Sequence, residues 1–336
     1  MPTVVAEVTR GGIVESVHHG VIVVAETSDQ VVAAAGDPNH VAYFRSSAKP
    51  FQAIPLVESG AADAAGFTPA ELALCCASHH GEPRQQAAVQ AMLTKLGRGP
   101  EALQCGIVRP MDEVEAARVE TGEVSASPLH CDCSGKHAGM LAACLHLGYP
   151  TDSYLDPDHP LQQQILAVMS DVMRRPADQI ARATDGCSLP TFGGSLHAFA
   201  VAYAALAAPE QVPSGAGREH APALNRLRQA MTSHPENVSG SGSLVTDLMA
   251  LGKGKIAVKS GAEGLICLAV PARGLGIAVR VLDGSFRAHA AIVSALLEQL
   301  DLLDAATIAT LRERFPPEIR NHNHLHVGDL RAAFQL

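Results

Sequence analysis

The 336-residue sequence contains no tryptophan, and its aromatic residues amount to only 4%. A chain so poor in stacking platforms is not built to hold single-stranded nucleic acid by its bases. It also lacks any run of lysine or arginine, and its formal net charge of −9 opposes binding to phosphate backbones or anionic lipid. No apolar stretch approaches the roughly 20 residues that cross a bilayer. The opening MPTVVAEVTRGG has no basic segment followed by an apolar core and a cleavage site, so the expectation is a cytoplasmic protein. Eight scattered cysteines, with Cys75 and Cys76 adjacent, do not resemble a secreted disulfide framework. They read as free thiols, several of them small core residues.

What is present is a globular composition, 47% hydrophobic and 18% charged, on a chain long enough to bury a substantial core. From residue 3 to residue 35, β-branched runs (VVAEV, IVESV, VIVVAE, VVAAAG) alternate with polar breaks, which predicts three or four antiparallel strands. The period then changes. RSSAKPFQAIPLVESG predicts a helix starting near Ser46 or Ser47, and Thr68, Pro69 and Glu71 stand in capping-box order before a short helix ending near Ser78. Residues 82–251 read as mostly helical, with 208–222 as a loop, and KIAVKSG, LICLAV and LGIAVRV then predict three more strands before a helix at SFRAHAAIVSALLEQL. The expectation is an α+β fold forming a single unit over residues 1–336, with residues 1–45 and 252–336 as an antiparallel sheet part and residues 46–251 as a mainly helical part packed against it.

Two constellations could carry chemistry. Ser46 and Lys49 form an S-x-x-K at a predicted helix start, where residues three apart share a face, so the lysine amine can take the serine proton. Ser47 could cap the helix instead, leaving Ser46 free. In serine acyl-transfer enzymes such as β-lactamases, S-x-x-K faces a K-T-G or K-S-G triplet on a strand, and Lys259-Ser260-Gly261 ends a predicted strand here. Ser78 could add a further hydroxyl. Two lysines near one pocket repel, so one should be neutral, which ties activity to alkaline pH.

The second constellation is CSGKHAGMLAACLHLG from Cys133 to Gly148, read with DGCSLPTFGG from Asp185 to Gly194. Cys133, Lys136 and His137 crowd a predicted helix N-terminus, whose partial positive charge favours thiolate, and Ser134 can cap it. Cys133 and Cys187 either share a metal, with Asp185 as the nearest carboxylate, or are core thiols. His18, His19, His322, His324 and His326 read as surface residues.

SSAKPFQ, CSGKHAGML and DGCSLPTFGGSLHAFA resemble the motifs of the rhizobial-type L-asparaginases, and the likeness runs through nearly the whole chain. The resemblance implies a fold like that of serine β-lactamases and glutaminases, and hydrolysis of L-asparagine to L-aspartate and ammonia. It makes Ser46 the nucleophile paired with Lys49, Ser78 and Lys259 a second serine–lysine pair, and Arg45, His137 and Asp185 substrate contacts. It also implies zinc held by Cys133, Lys136, Cys187 and a water, and a homodimer. The chain departs from the family at Cys131-Asp132, where asparagines precede the first cysteine motif, and at Ser188, where the second reads DGCG. Two other readings stay open: another serine acyl hydrolase of the β-lactamase or glutaminase kind, and a non-catalytic zinc or redox sensor.

Overall fold

Alternating β-branched residues at both ends of the chain do assemble into one sheet. The computed structural model describes residues 3–215 and 217–336; residue 216, within the expected loop at 208–222, lies outside the described residues. The rest of that loop carries two short turns, Pro209–Gln211 and Arg218–His220. Strands β1 (Thr3–Arg10), β2 (Ile13–Glu26) and β3 (Val31–Ala35) come from the first residues, with a short β4 (Val41–Tyr43) after them. Two strands not expected from the sequence, β5 (Ala181–Thr184) and β6 (Pro190–Ser195), follow in the helical middle. The three expected strands β7 (Ala257–Gly261), β8 (Leu265–Val270) and β9 (Leu275–Val281), and two more not expected, β10 (Glu318–Arg320) and β11 (His326–Ala332), complete the set. The main sheet has eight antiparallel strands in the order β10-β11-β1-β2-β9-β8-β7, with β3 on β2. The α+β expectation, a sheet drawn from the two termini with helices packed on it, is the architecture observed.

The runs IVESV and VIVVAE are one 14-residue strand, not two. The intervening His-His-Gly keeps extended pairing because Gly20 serves a close approach: a Cβ there would lie 2.6 Å from the Arg280 carbonyl and 2.7 Å from a Val5 methyl. His18, expected at the surface, is buried in this strand, with Nδ1 2.6 Å from Asp283 Oδ2. His322, His324 and His326 are exposed as expected.

The Leu196–Ala207 helix packs on the inner face of β2, β8 and β9. Nearly every position of LHAFAVAYAALA is apolar, which suits a helix buried on all sides, and Gly276 lets it dock, since a Cβ there would fall 1.9 Å from the Ala200 carbonyl. Phe44, leading from β4, stacks on Phe199 with ring centroids 4.1 Å apart. That contact fixes the start of the next segment. The expected helix after Ser46 is broken into a 3₁₀ turn (Arg45–Ala48) and two short helices, Lys49–Gln52 and Ile54–Glu58. Pro50 and Pro55 each stand at the start of a helix, where a missing N–H is tolerated. The Thr68 capping box forms, but its helix ends at Cys75, three residues before Ser78. Among the described residues no helix is long and apolar enough to cross a membrane.

Candidate active site

The short sheet of β4, β6 and β5 holds one wall of the site. Phe44 N–H donates to the Phe192 carbonyl, and the next residue, Arg45, turns with a positive φ of 49°. This strained backbone directs Arg45 at Asp185, with Arg45 Nε 2.8 Å from Asp185 Oδ1. Asp185 begins the β5–β6 turn, where its carboxylate accepts the Gly186 N–H at 2.8 Å. Ser188 in that turn adopts φ 70°, a conformation that favours glycine. Cys187 is thereby aimed inward at the Ser134–Leu147 helix, and Lys136 Nζ lies 3.2 Å from its sulfur.

Ser46 and Ser47 part company. Ser47 is fully buried and donates to the Lys259 carbonyl at 3.1 Å, tying the 3₁₀ turn to β7, whereas Ser46 is half-buried and has no hydrogen bond to its hydroxyl among the described residues. Neither side chain caps a helix. The Lys49 amine does not bond to Ser46; it donates to the Ala77 carbonyl (2.6 Å), to Ser78 Oγ (2.8 Å) and to Asp132 Oδ2 (3.3 Å). Lys259 Nζ, from β7, lies 2.9 Å from the same Ser78 oxygen and 2.8 Å from the Ser260 carbonyl. Ser78 thus stands between two fully buried lysine amines.

Their environments push them apart. Burial lowers Lys49, but the Cys133 thiolate and the Asp132 carboxylate outweigh it and leave the amine above its ordinary value, firmly an ammonium. Lys259 is pushed down to about 7 by burial and by the Lys49 cation beside it. Around neutral pH a large fraction of Lys259, and above it most, is therefore a free amine that can accept the Ser78 hydroxyl proton while donating to the Ser260 carbonyl.

Cys133 precedes the Ser134–Leu147 helix and is not a side-chain cap; Ser134, at the first helical position, meets His79 instead, with Nε2 2.7 Å from its hydroxyl. Hydrogen bonds from Cys131 and Cys187 hold the Cys133 thiol well below its ordinary value despite burial, with Lys49 and Lys136 adding to the effect. Burial opposes the charge on Lys136, but Cys187 and Cys133 hold it above its ordinary value. Cys131, Asp132 and Cys133 also offer ligand atoms within 4.8 Å of one another. Two sulfurs and an amine converge here, Cys133 and Lys136 from one helix start and Cys187 from the β5–β6 turn, a donor set that zinc could accept. Asp185, the carboxylate expected nearest this cluster, is engaged by Arg45.

His137 is fully buried, with Nδ1 2.7 Å from Tyr154 Oη and, among the described residues, no partner for its Nε2. Burial drives it down to about 3, so it is a neutral ring behind the site and not on its open face. Three groups were given no role from the sequence: Asp132, His79 and Tyr154. Asp132 had a signal, an acid placed between two cysteines. His79 and Tyr154 had none, since their partners lie 55 and 17 residues away.

The L-asparaginase II family profile matches residues 6–332, nearly the whole chain. No match is found among curated proteins. Among solved structures the chain is similar to Mglu crystallised with 4.3 M NaCl, at 17% identity over 85% of this chain and 62% of that one, with a TM-score of 0.40. It is also similar to a beta-lactamase from Mycobacterium bovis, at 14% identity over 88% of this chain and 94% of that one, with a TM-score of 0.38. A putative beta-lactamase from Bacteroides dorei is similar at 13% identity over 78% of this chain and 85% of that one, with a TM-score of 0.38. The chain thus spans 62% of the length of Mglu.

Proposed function

Since the chain belongs to the L-asparaginase II family, and is thereby an amidohydrolase, we propose that its substrate is L-asparagine, cleaved to L-aspartate and ammonia through a serine ester. The observation that carries this reading is the Ser78 hydroxyl held between Lys49 and Lys259, one amine charged and the other near neutrality. Ser46, half-buried and with no hydrogen bond to its hydroxyl among the described residues, attacks the side-chain amide carbon. Its proton passes by way of Ser78 to Lys259, because Lys49 as an ammonium has no lone pair to offer. Lys49 instead places positive charge where negative charge develops. Ammonia leaves with a proton returned along the same relay, and water then releases aspartate.

Arg45 and Asp185 neutralise each other at 2.8 Å. The pair is complementary to an amino-acid zwitterion, the guanidinium taking the α-carboxylate and the carboxylate the α-ammonium. His137, buried against Tyr154, is held back from the ligand in this reading.

Zinc is part of the proposal. Cys133, Lys136 and Cys187 would hold it, Lys136 as a neutral amine that gives up its proton when the ion arrives. Bound there, the cation would supply fixed positive charge and rigidity to the pocket. The set lacks the histidines and carboxylate usual in hydrolytic zinc sites, which favours substrate positioning. An ion on Cys133 would also weaken that thiolate's pull on Lys49 and leave Asp132 as its counter-charge. We extend the proposal to a homodimer, supported by exposed Ile13, Val14 and Val17 on β2, and to a reducing, cytoplasmic setting, supported by eight free thiols.

The test is ammonia release from L-asparagine and L-glutamine, followed by rapid quenching and mass spectrometry of the trapped ester. A β-aspartyl adduct on the Ser46 peptide is expected, with Ser46→Ala lowering kcat by about 10³-fold or more. The two flanking amines favour a second reading in which Ser78 itself attacks; an adduct on Ser78 would establish it.

A further inference from the structure

Ser78 also borders a cavity of about 280 Å³ that neither Ser46, Arg45, Asp185 nor any thiol lines. Most of its surface comes from Met111, Leu244, Val245, Ile266 and Phe286, with the uncharged hydroxyls of Ser239, Ser243 and Ser260 among them. Among the described residues no carboxylate, ammonium or guanidinium lines it. The two histidines that do, His80 and His289, are both lowered by burial, His289 to about 4, so they are uncharged at neutral pH. Met111 and Phe286 are 55% and 53% exposed, so the apolar surface continues to solvent.

The ammonia released from asparagine is about the size of water, whose share of liquid volume is about 30 Å³. It explains neither the size of the cavity nor its apolar walls. Nor does the amino-acid head of the substrate, whose charges would find no partner there. We infer that the cavity receives an apolar substituent on the nitrogen of the scissile amide, so that the enzyme also cleaves N-alkyl and N-aryl β-amides of L-aspartate. This rests on the reading above, which places the head at Arg45 and Asp185 and the departing nitrogen on the Ser78 side. In the step itself, Ser46 Oγ bonds to the carbonyl carbon and the carbon–nitrogen bond breaks. The nitrogen takes up the proton that Ser46 gave up and leaves as a primary amine. Water then adds to the ester, restoring Ser46 and releasing aspartate, with no co-reactant beyond water.

The experiment compares L-asparagine with the β-(N-butyl)amide of L-aspartate on the full chain, following ammonia and butylamine release. Wild type should cleave both. Val245→Phe, which fills the cavity, should lower kcat/KM for the butylamide by about tenfold and leave that for asparagine within about twofold. Phe286→Ala, at the exposed rim, should shift the same ratio in the same direction. If wild type releases ammonia from asparagine but neither cleaves the butylamide nor is competitively inhibited by it, the inference falls and the asparaginase reading stands. If neither compound is processed, the asparaginase reading itself fails. If both variants alter only the oligomeric state seen by light scattering, the cavity is a contact between copies and the inference is overturned.

Discussion

Lys259 Nζ lies 2.9 Å from Ser78 Oγ although the two residues are 181 positions apart in the chain. The strand that carries the lysine and the loop that carries the serine meet under the 3₁₀ turn bearing Ser46, with Ser47 bonded to the Lys259 carbonyl. The Ser78 hydroxyl and two buried amines are thereby packed together beneath that turn. Such packing separates the two lysines in basicity.

The pH profile should report Lys259. A base works only when unprotonated, so with the amine near 7, kcat/KM should rise about tenfold per pH unit below that value and level off above it. Lys259→Arg, which cannot shed its proton, should abolish the limb and lower the plateau by about 10²- to 10⁴-fold. Activity unchanged from pH 5 to pH 9 in the wild type would remove Lys259 from this role.

Asp185→Asn leaves Arg45 a hydrogen-bond partner but removes the charge proposed to meet the substrate ammonium. A hydrogen bond to a charged group is worth about 1.5–3 kcal/mol, so KM should rise at least about tenfold. That contact is made alike in ground and transition states, and kcat should change much less. Steady-state kinetics showing the opposite split would place Asp185 in the chemical step.

Metal removal should separate positioning from chemistry. Chelation is expected to leave the circular dichroism spectrum intact and raise KM by about tenfold, with kcat nearly unchanged. A collapse of kcat at constant KM would make the ion a participant in bond breaking. Zinc content near zero in freshly purified, active protein would dismiss it altogether.

Ser188 should be a source of local strain. It holds φ 70° at the turn that delivers Cys187, and a side chain in that region costs about 1 kcal/mol relative to glycine. Ser188→Gly is expected to raise the free energy of unfolding in urea by up to that amount. Destabilisation would mean that the serine hydroxyl makes a compensating bond.

Much of this protein could be read from local pattern. Period-2 stretches at both ends marked the sheet, the Thr68 capping box marked its helix, and the long motifs around Ser46, Cys133 and Cys187 marked the candidate site. These signals are legible because they act between neighbours within a few residues. The β5–β6 hairpin was missed because RATDGCSLPTFGG is short and rich in turn formers, and its strands pair around the very motif that suggested a metal. The merging of two runs into β2 was missed because Gly20 reads as a break until the Arg280 carbonyl is seen pressed against it.

Residue types and their order were enough to point to the family and to nominate candidate reactive groups, since those are chemical properties of single side chains and short motifs. Which serine faces which lysine, and which lysine loses its charge, depended on the folded chain. Both outcomes come from burial and through-space Coulomb forces among Lys49, Asp132, Cys133 and Lys259, whose distances are set only when β7 closes over the Ser46 turn.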